Sequence, residues 1–446
     1  MKEQILELYK NNNRHINANS SLIVSQLRDK AIGIFANKGF PDKNDENWRH
    51  TDLDSIFSYD FDFNFENKSR SVDIDKIFSC DVIDLGTYCV TTLNGWYVYN
   101  NAPITQLPDG TIIGGLSKAM EVYPDIIDKY IGQIADMEKP GLVALNTAFM
   151  QDGLFIYVPD NVEVKKPIQI INVVNSQNNL FLQPRHLIVM GKNSKLTLLH
   201  CDDSLMHGLS FTNTVSEIFM GEGSDFEHYK VQNMGENSNL LTNLFFKQNA
   251  GSKLRTNAIT LNGGFTKNNV SVSINGTDNE TNLYGLYLVD GKQKVDNQVY
   301  VDHVDHENFS NQLYKGILDD QAKAVFSGKV LVRKDSQKTE AHQSNKNILL
   351  TDDAKIYTQP HLEIYADDVK CSHGATVGQL DPDAMFYLHS RGLCEKTARQ
   401  LLMYAFASEV VNEVSIPALR ESLDMMVQKR LRGELSICDQ CLLHCN

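Results

Sequence analysis

The sequence predicts a mainly β protein: a right-handed parallel β-helix core, preceded by an N-terminal helical region and followed by a C-terminal helical domain. Two observations predict the core. From Gly153 onward the pattern changes to alternation, as at Phe155, Tyr157, Gln169, Ile171 and Val173. Within that region a small or polar turn residue, a polar residue and an apolar residue recur. The instances are Ser194-Lys195-Leu196, Ser224-Asp225-Phe226, Ser252-Lys253-Leu254, Thr281-Asn282-Leu283, Ala322-Lys323-Ala324 and Ala354-Lys355-Ile356. Their first residues are 30, 28, 29, 41 and 32 positions apart, and the long step contains the polar stretch Asp290 to Lys294. A near-constant period close to 30, with strands and no helices between them, describes coils stacked edge to edge. A β-sandwich also spaces short strands regularly. The constancy of the period favours the solenoid.

The elements follow in order. Residues 1–149 form the N-terminal helical or mixed region. Ser20 and Ser21 can cap a helix in which Ile23, Leu27, Ala31, Ile34 and Phe35 recur at helical spacing, and Gly39 and Pro41 end it. Residues 58 to 75 show no clear period and read as a loop or extended arm, and a helix is expected between Ser117 and Met137. Residues 150–378 form the β-helix core. Residues 379–446 form the C-terminal helical domain with a cysteine-rich tail. Asp381-Pro382 is an N-cap followed by proline at the first helical position, and Gly392 closes that helix. Lys396 to Val414 makes a longer helix with Leu401, Leu402, Ala405, Phe406 and Val410 on one face, and Pro417 starts a third that Gly433 ends. An open solenoid end exposes unpaired backbone, and these helices are expected to cap it.

Composition excludes several function classes. The 446 residues carry a net charge of −14, which argues against nucleic-acid backbones and anionic membranes as partners. No apolar run is long enough to span a bilayer, and Met1-Lys2-Glu3-Gln4 does not open a signal peptide. A cytoplasmic protein with reduced thiols is expected, since eight cysteines in a chain of this size are no disulfide framework. Neither a phosphate-binding P-loop nor a dinucleotide fingerprint occurs, and H-E-x-x-H and G-x-S-x-G motifs are also missing. The chain is therefore not expected to hydrolyse ATP itself.

Three clusters could carry metal chemistry. Cys371 and His373 lie two residues apart where the β-rich region ends. On a strand they leave the same face, with Cα atoms about 7 Å apart. Thiolate and imidazole suit iron, zinc and Fe–S clusters, but two donors leave a site incomplete, so further ligands would come from elsewhere in the fold or from a second protein. The alternative is a buried cysteine beside a surface histidine. Asp302-His303-Val304-Asp305-His306-Glu307 is dense in potential ligands, but strand alternation splits it, and solvated surface is the expected reading. Cys438, Cys441, His444 and Cys445 could form a four-ligand zinc or Fe–S site, or a plain chain terminus.

The run Asp367-Asp368-Val369-Lys370-Cys371-Ser372-His373-Gly374-Ala375-Thr376-Val377-Gly378-Gln379-Leu380-Asp381 resembles the signature of the SufD family, scaffold subunits of the SUF iron–sulfur cluster assembly machinery. The resemblance extends upstream through Gln312 to Leu318, Ala324 to Gly328, Gln343 to Leu350 and Leu362 to Asp368, and downstream through Met385 to Gly392. It is sparser at Leu145 to Pro159 and at Trp48-Arg49-His50-Thr51-Asp52-Leu53. The SufB paralogue lacks the Val-Lys-Cys-Ser-His-Gly-Ala-Thr run.

The resemblance implies a non-catalytic scaffold. It would pair with a SufB-like paralogue through the β-helix and hold a SufC-like ATPase through its C-terminal helices. Isolated copies could self-pair through the same solenoid edge. Iron or a transient Fe–S cluster would be bound at the SufB interface through His373, with Cys371 beside it. A flavin is associated with the assembled complex in some members, and no residue here establishes a site for it. The tail from Cys438 to Cys445 is not explained by the family pattern. Two other classes compete: a carbohydrate-active β-helix enzyme, which would use clustered carboxylates on one solenoid face, and a metal-free interaction scaffold.

Overall fold

The alternating segments do fold as a parallel β-helix of about eight turns, flanked by N-terminal and C-terminal helices. A computed structural model of the chain describes residues 1–435, apart from 19, 43, 52, 66–85, 100–101, 139–140 and 206–207. Each coil contributes one strand to each of two facing sheets. The first sheet runs from Leu154–Val158 through Arg185–Met190, Ser210–Met220, Ser238–Gln248, Phe265–Ile274, Lys294–His303 and Lys323–Val332 to Lys355–Ile364. The second runs from Ile168–Val174 through Lys195–Ser204, Asp225–Asn233, Lys253–Asn262, Glu280–Val289, Phe309–Leu318 and Thr339–Leu349 to Val369–Gly378. All pairings between successive coils are parallel, which excludes the sandwich. The strand Tyr88–Leu93 continues the second sheet from the N-terminal region, pairing parallel with Ile168–Val174. Between the sheets lies a lumen packed with Ile170, Leu198, Phe226, Phe246, Leu283, Phe326 and their neighbours.

The recurring turn unit is real, but its register differs from the sequence reading. Lys195, Asp225, Lys253, Glu280 and Phe309 are successive partners in the second sheet. The residues before them, Ser194, Ser224, Ser252, Asn279 and Asn308, are all buried. Thr281 pairs with Leu254, so the fourth unit is Asn279-Glu280-Thr281 and not Thr281-Asn282-Leu283. Ala322-Lys323-Ala324 and Ala354-Lys355-Ile356 belong to the first sheet. The long step of 41 is thus a jump between sheets. Asp290 to Lys294 is an ordinary turn within a coil and not an insertion. The buried turn residues bond from coil to coil: Asn279 Oδ1 accepts from the Ser252 amide and hydroxyl at 3.0 and 2.9 Å, and Asn308 Oδ1 accepts from the Asn279 amide at 3.0 Å. Beside them runs a column of left-handed residues, with φ of 52° at Asn193, 66° at Gly223, 69° at Gly251, 61° at Asp278 and 58° at Glu307. Glycine, asparagine and aspartate tolerate that conformation and hold four of these five corners; Glu307 holds the fifth.

The helical regions cover the outer faces of the two sheets. In Leu22–Lys38 the buried stripe is Val24, Arg28, Ala31 and Phe35, one position on from Ile23, which is half exposed. Ser21 caps this helix by accepting from the Val24 amide at 3.1 Å. The helix expected between Ser117 and Met137 is two, Leu116–Val122 and Pro124–Tyr130, divided at the proline. Together with Leu142–Phe149, the N-terminal elements pack on Phe181, Phe211, Val215, Leu241 and Phe265 of the first sheet. A fully buried pair, Arg185 and Glu217, fixes this contact: the Glu217 carboxylate also accepts from the amides of Gly132, Ile134 and Ala135 at 2.8, 3.0 and 3.2 Å. The Trp48 to Leu53 motif serves the same contact. Trp48 covers the Lys267 ammonium at 4.6 Å, His50 stacks on Tyr357 at 4.0 Å, and Thr51 bonds Asp296 at 2.9 Å.

The C-terminal helices do not cap the solenoid end, contrary to expectation. Glu395–Val411 and Pro417–Arg432 lie on the outer face of the second sheet, packing Met403, Ala407, Val410, Leu419 and Leu423 against Tyr229, Ile259, Leu286 and Ile317. That face is apolar over its middle coils, and the helices remove it from water there. Lys315 anchors the first of these helices: its ammonium pairs with Glu409 and lies 4.3 Å from the Phe406 ring. Arg430 anchors the second, donating to the Leu261 carbonyl and to Asp290, each at 2.7 Å.

The two solenoid ends consequently differ. At the N-terminal end each sheet finishes in a three-residue strand, Trp96–Val98 or Ile104–Gln106. At the C-terminal end each finishes in a ten-residue strand, Lys355–Ile364 or Val369–Gly378, with no further strand beside it among the described residues.

Candidate functional site

Cys371 and His373 both lie on the terminal strand Val369–Gly378, so the structure places them together at the open end. Parallel pairing sets Cys371 beside Ala341 and His373 beside Gln343. Ala341 and Gln343 are buried in the lumen, so the alternation directs Cys371 and His373 to that same side. Cys371 is partly buried against the lumen core. His373, one step further along the strand, is exposed because no next coil covers it. Ser372 points the other way, its Oγ 2.8 Å from His342 Nδ1, while His342 Nε2 lies 2.9 Å from Glu340.

The two donors differ in readiness. Burial pushes the Cys371 thiol above its ordinary value, which favours the protonated form at neutral pH. A thiol must lose that proton to ligate a metal. The His373 imidazole needs no such step when neutral. Among the described residues no group of three or more His, Cys, Asp or Glu is arranged to hold a metal ion. The edge also carries exposed apolar residues, Tyr357, Ile364, Tyr365 and Val377, and a Cβ added at Gly374 would meet nothing within 4 Å.

Behind His373 the lumen is polar, which sequence reasoning missed. Gln312, Gln343 and His373 are successive partners in one column. Gln343 Nε2 donates to Gln312 Oε1 at 2.7 Å. Stepping back one coil length from His373 finds Gln343, and a second step finds Gln312.

The other candidate clusters have structural partners. His303 is fully buried and not part of a solvated surface as expected. Its Nε2 lies 2.8 Å from Ser310 Oγ, and burial lowers its pKa to about 4. Asp302 takes a two-pronged bond from Arg333 at 2.9 and 2.7 Å, and Asp305 accepts from the Gly276 amide at 2.6 Å. Deeper in the lumen, His186, His200 and His228 surround Asp202 and Lys230, with the Lys230 ammonium 2.6 Å from the carboxylate. That lysine supplies the positive charge a metal would otherwise bring, and burial depresses the pKa of all three imidazoles. A cavity of about 420 Å³ lies beneath Trp48 on the outer face of the first sheet and shares no residue with the Cys371–His373 edge. Cys438, Cys441, His444 and Cys445 lie outside the described residues.

The C-terminal domain offers a second surface. The helix Pro382–Ser390 buries none of its residues, and Phe386 and Tyr387 are 74% and 56% exposed. Leu401, expected on the packed face of the following helix, is exposed as well. The packed stripe is Ala398, Met403, Ala407, Val410 and Val411, which shares Val410 with the expected face. No described helix is long and apolar enough to cross a membrane.

Comparison with known proteins supplies the family. The family model described as the SufBD core domain of SUF-system FeS cluster assembly matches residues 172–406, and that of the SufBD N-terminal region matches residues 1–170. An iron–sulfur cluster assembly SufBD family protein of Synechocystis is 30% identical over 92% of this chain and 91% of its own length. The iron–sulfur cluster assembly protein SufD of Escherichia coli is 26% identical over 89% of this chain and 90% of its own, and SufD of Bacillus subtilis 28% over 72% and 74%. The chain therefore belongs to the SufBD family of iron–sulfur cluster assembly proteins, and within it is SufD-like.

Proposed function

We propose that this chain is the non-catalytic SufD-like scaffold of a complex with a SufB-like paralogue and a SufC-like ATPase, and that it contributes His373 to the binding of iron or a nascent cluster as cargo. The observation that carries this reading is the open end: two ten-residue edge strands, with an exposed imidazole at the mouth of the lumen. Unpaired strand edges accept strands from a partner. A second solenoid docked there would cover His373 and Cys371 and could bring the remaining ligands. The half-buried Cys371 thiol would join once metal displaces its proton. The ATPase would dock on the exposed Phe386, Tyr387 and Leu401 surface, and isolated copies could self-pair through the same edges. The family membership gives no support to a carbohydrate-active enzyme. No residue here assigns a flavin site, and cytoplasmic localisation remains part of the proposal.

His373→Ala tests the reading. His373 is exposed, so folding and partner capture should be retained, with stability within about 0.5 kcal/mol of the original. Iron and acid-labile sulfide in the anaerobically reconstituted complex should fall at least about tenfold. Full loading of the complex with His373→Ala would leave an interaction scaffold without metal chemistry.

A further inference from the structure

We propose that Gln343 is a positioning residue for His373: its Oε1, unpartnered among the described residues, accepts a hydrogen bond from one imidazole N–H once the exposed ring turns toward it, and the other ring nitrogen keeps its lone pair toward the open end. The inference rests on the reading above that His373 is a donor to iron or cluster. Gln343 and His373 are partners on adjacent strands, so their Cα atoms lie about 4.8 Å apart on the same face, within side-chain reach. Gln343 is 3% exposed, and its Oε1 has no hydrogen-bond partner among the described residues.

The rest of the Gln343 amide is committed. Its Nε2 donates to Gln312 Oε1 one coil further in. Gly328, on the facing sheet, makes room for this pose: a Cβ there would lie 2.0 Å from Gln343 Nε2. Gln312 is itself followed inward by Leu283, so the polar column ends after two amides. The amide is thus held on two sides with its acceptor left over, and a buried acceptor without a partner is costly. His373 is the donor that the register brings to it. In a neutral imidazole one nitrogen carries the proton and the other is bare. Fixing the proton on the Gln343 side fixes the bare nitrogen as the metal donor, as outer-shell partners of metal-bound histidines do.

The test needs no metal. In the ¹⁵N-labelled chain at pH 8, His373 should show one tautomer, with one pyrrole-type and one pyridine-type nitrogen. Gln343→Met keeps the length but removes the acceptor, and should move both resonances toward the averaged values of an exchanging ring. Gln343→Glu, whose carboxylate can accept both from His373 and from the unpartnered Gln312 Nε2 once that amide turns over, should restore the single tautomer. In the reconstituted complex, Gln343→Met should weaken iron binding about tenfold or more. Unchanged His373 resonances in Gln343→Met would overturn the proposal. Should that variant not fold, averaged resonances in the unmodified chain would overturn it equally. A single tautomer that depends on Gln343, together with full iron loading of His373→Ala, would uphold the hydrogen bond and reject the metal role, so the two readings fail separately.

Discussion

Acidification should loosen the solenoid through its buried histidines, and His303 allows the size of the effect to be worked out. Its ring is fully buried, Nε2 faces Ser310 Oγ, and Nδ1 has no partner among the described residues. Burial holds its pKa at about 4, against the partial opposition of the neighbouring Asp302 carboxylate. In the unfolded chain the same group titrates near about 6.5. The folded pKa is the lower one, so the unfolded state binds more protons between these values, and stability falls as pH falls. The contribution is intact above about pH 6.5, and at pH 5 it has lost about 2 kcal/mol. That is a large part of a typical folding free energy. His186, His200 and His228 act in the same direction, since burial lowers their pKa values too. Chemical denaturation at pH 7.5, 6 and 5 reads the effect, with His303→Gln as the comparison. The variant should lose about 2 kcal/mol less than the original chain between pH 7.5 and 5. Equal losses in both proteins would refute the argument.

Two further outcomes follow from packing and exposure. Gly316→Ala places a Cβ 2.1 Å from Tyr287 Cε2 and 2.6 Å from Asn347 Oδ1, so it should destabilise by about 1–3 kcal/mol in the same denaturation assay, and a change below about 0.5 kcal/mol would contradict the tight packing. Phe386→Asp combined with Leu401→Asp should leave the melting temperature nearly unchanged and weaken binding of the SufC-like ATPase at least about tenfold by calorimetry; undiminished affinity would move the docking surface elsewhere.

The solenoid was legible because its corners repeat chemically. A buried Ser or Asn, then a polar residue, then a lumen residue recurs over four successive coils from Ser194 to Thr281, as at Ser224-Asp225-Phe226. The repeat passes to the other sheet at Ala322 because each coil has two such corners, one per sheet, and the two kinds look alike in sequence. Amphipathic helices declared that a face was buried but not what buried it. The helices from Glu395 to Arg432 were therefore assigned to the solenoid end although they pack on its side. Cys371 and His373 were visible as neighbours on one strand face. Gln343 and Gln312 were not, because a polar residue in an alternating strand reads as outward-facing, and only the coil register shows these two pointing into the lumen. His303 was misplaced for the same reason.

The unequal ends of the solenoid set a stoichiometric limit. A stack of coils with bare edges at both ends would behave as a bifunctional monomer and could grow into filaments, each added copy exposing a fresh edge. Among the described residues the N-terminal end is blunted by three-residue strands, and only the C-terminal end presents long unpaired ones. Such a chain is monofunctional with respect to edge pairing. Two monofunctional units consume each other's only reactive end, so association through strand edges stops at a pair, whether the second unit is a paralogue or another copy. On the proposed pairing the junction would lie near the middle of a continuous double-length solenoid, with His373 at the seam and away from both outer ends.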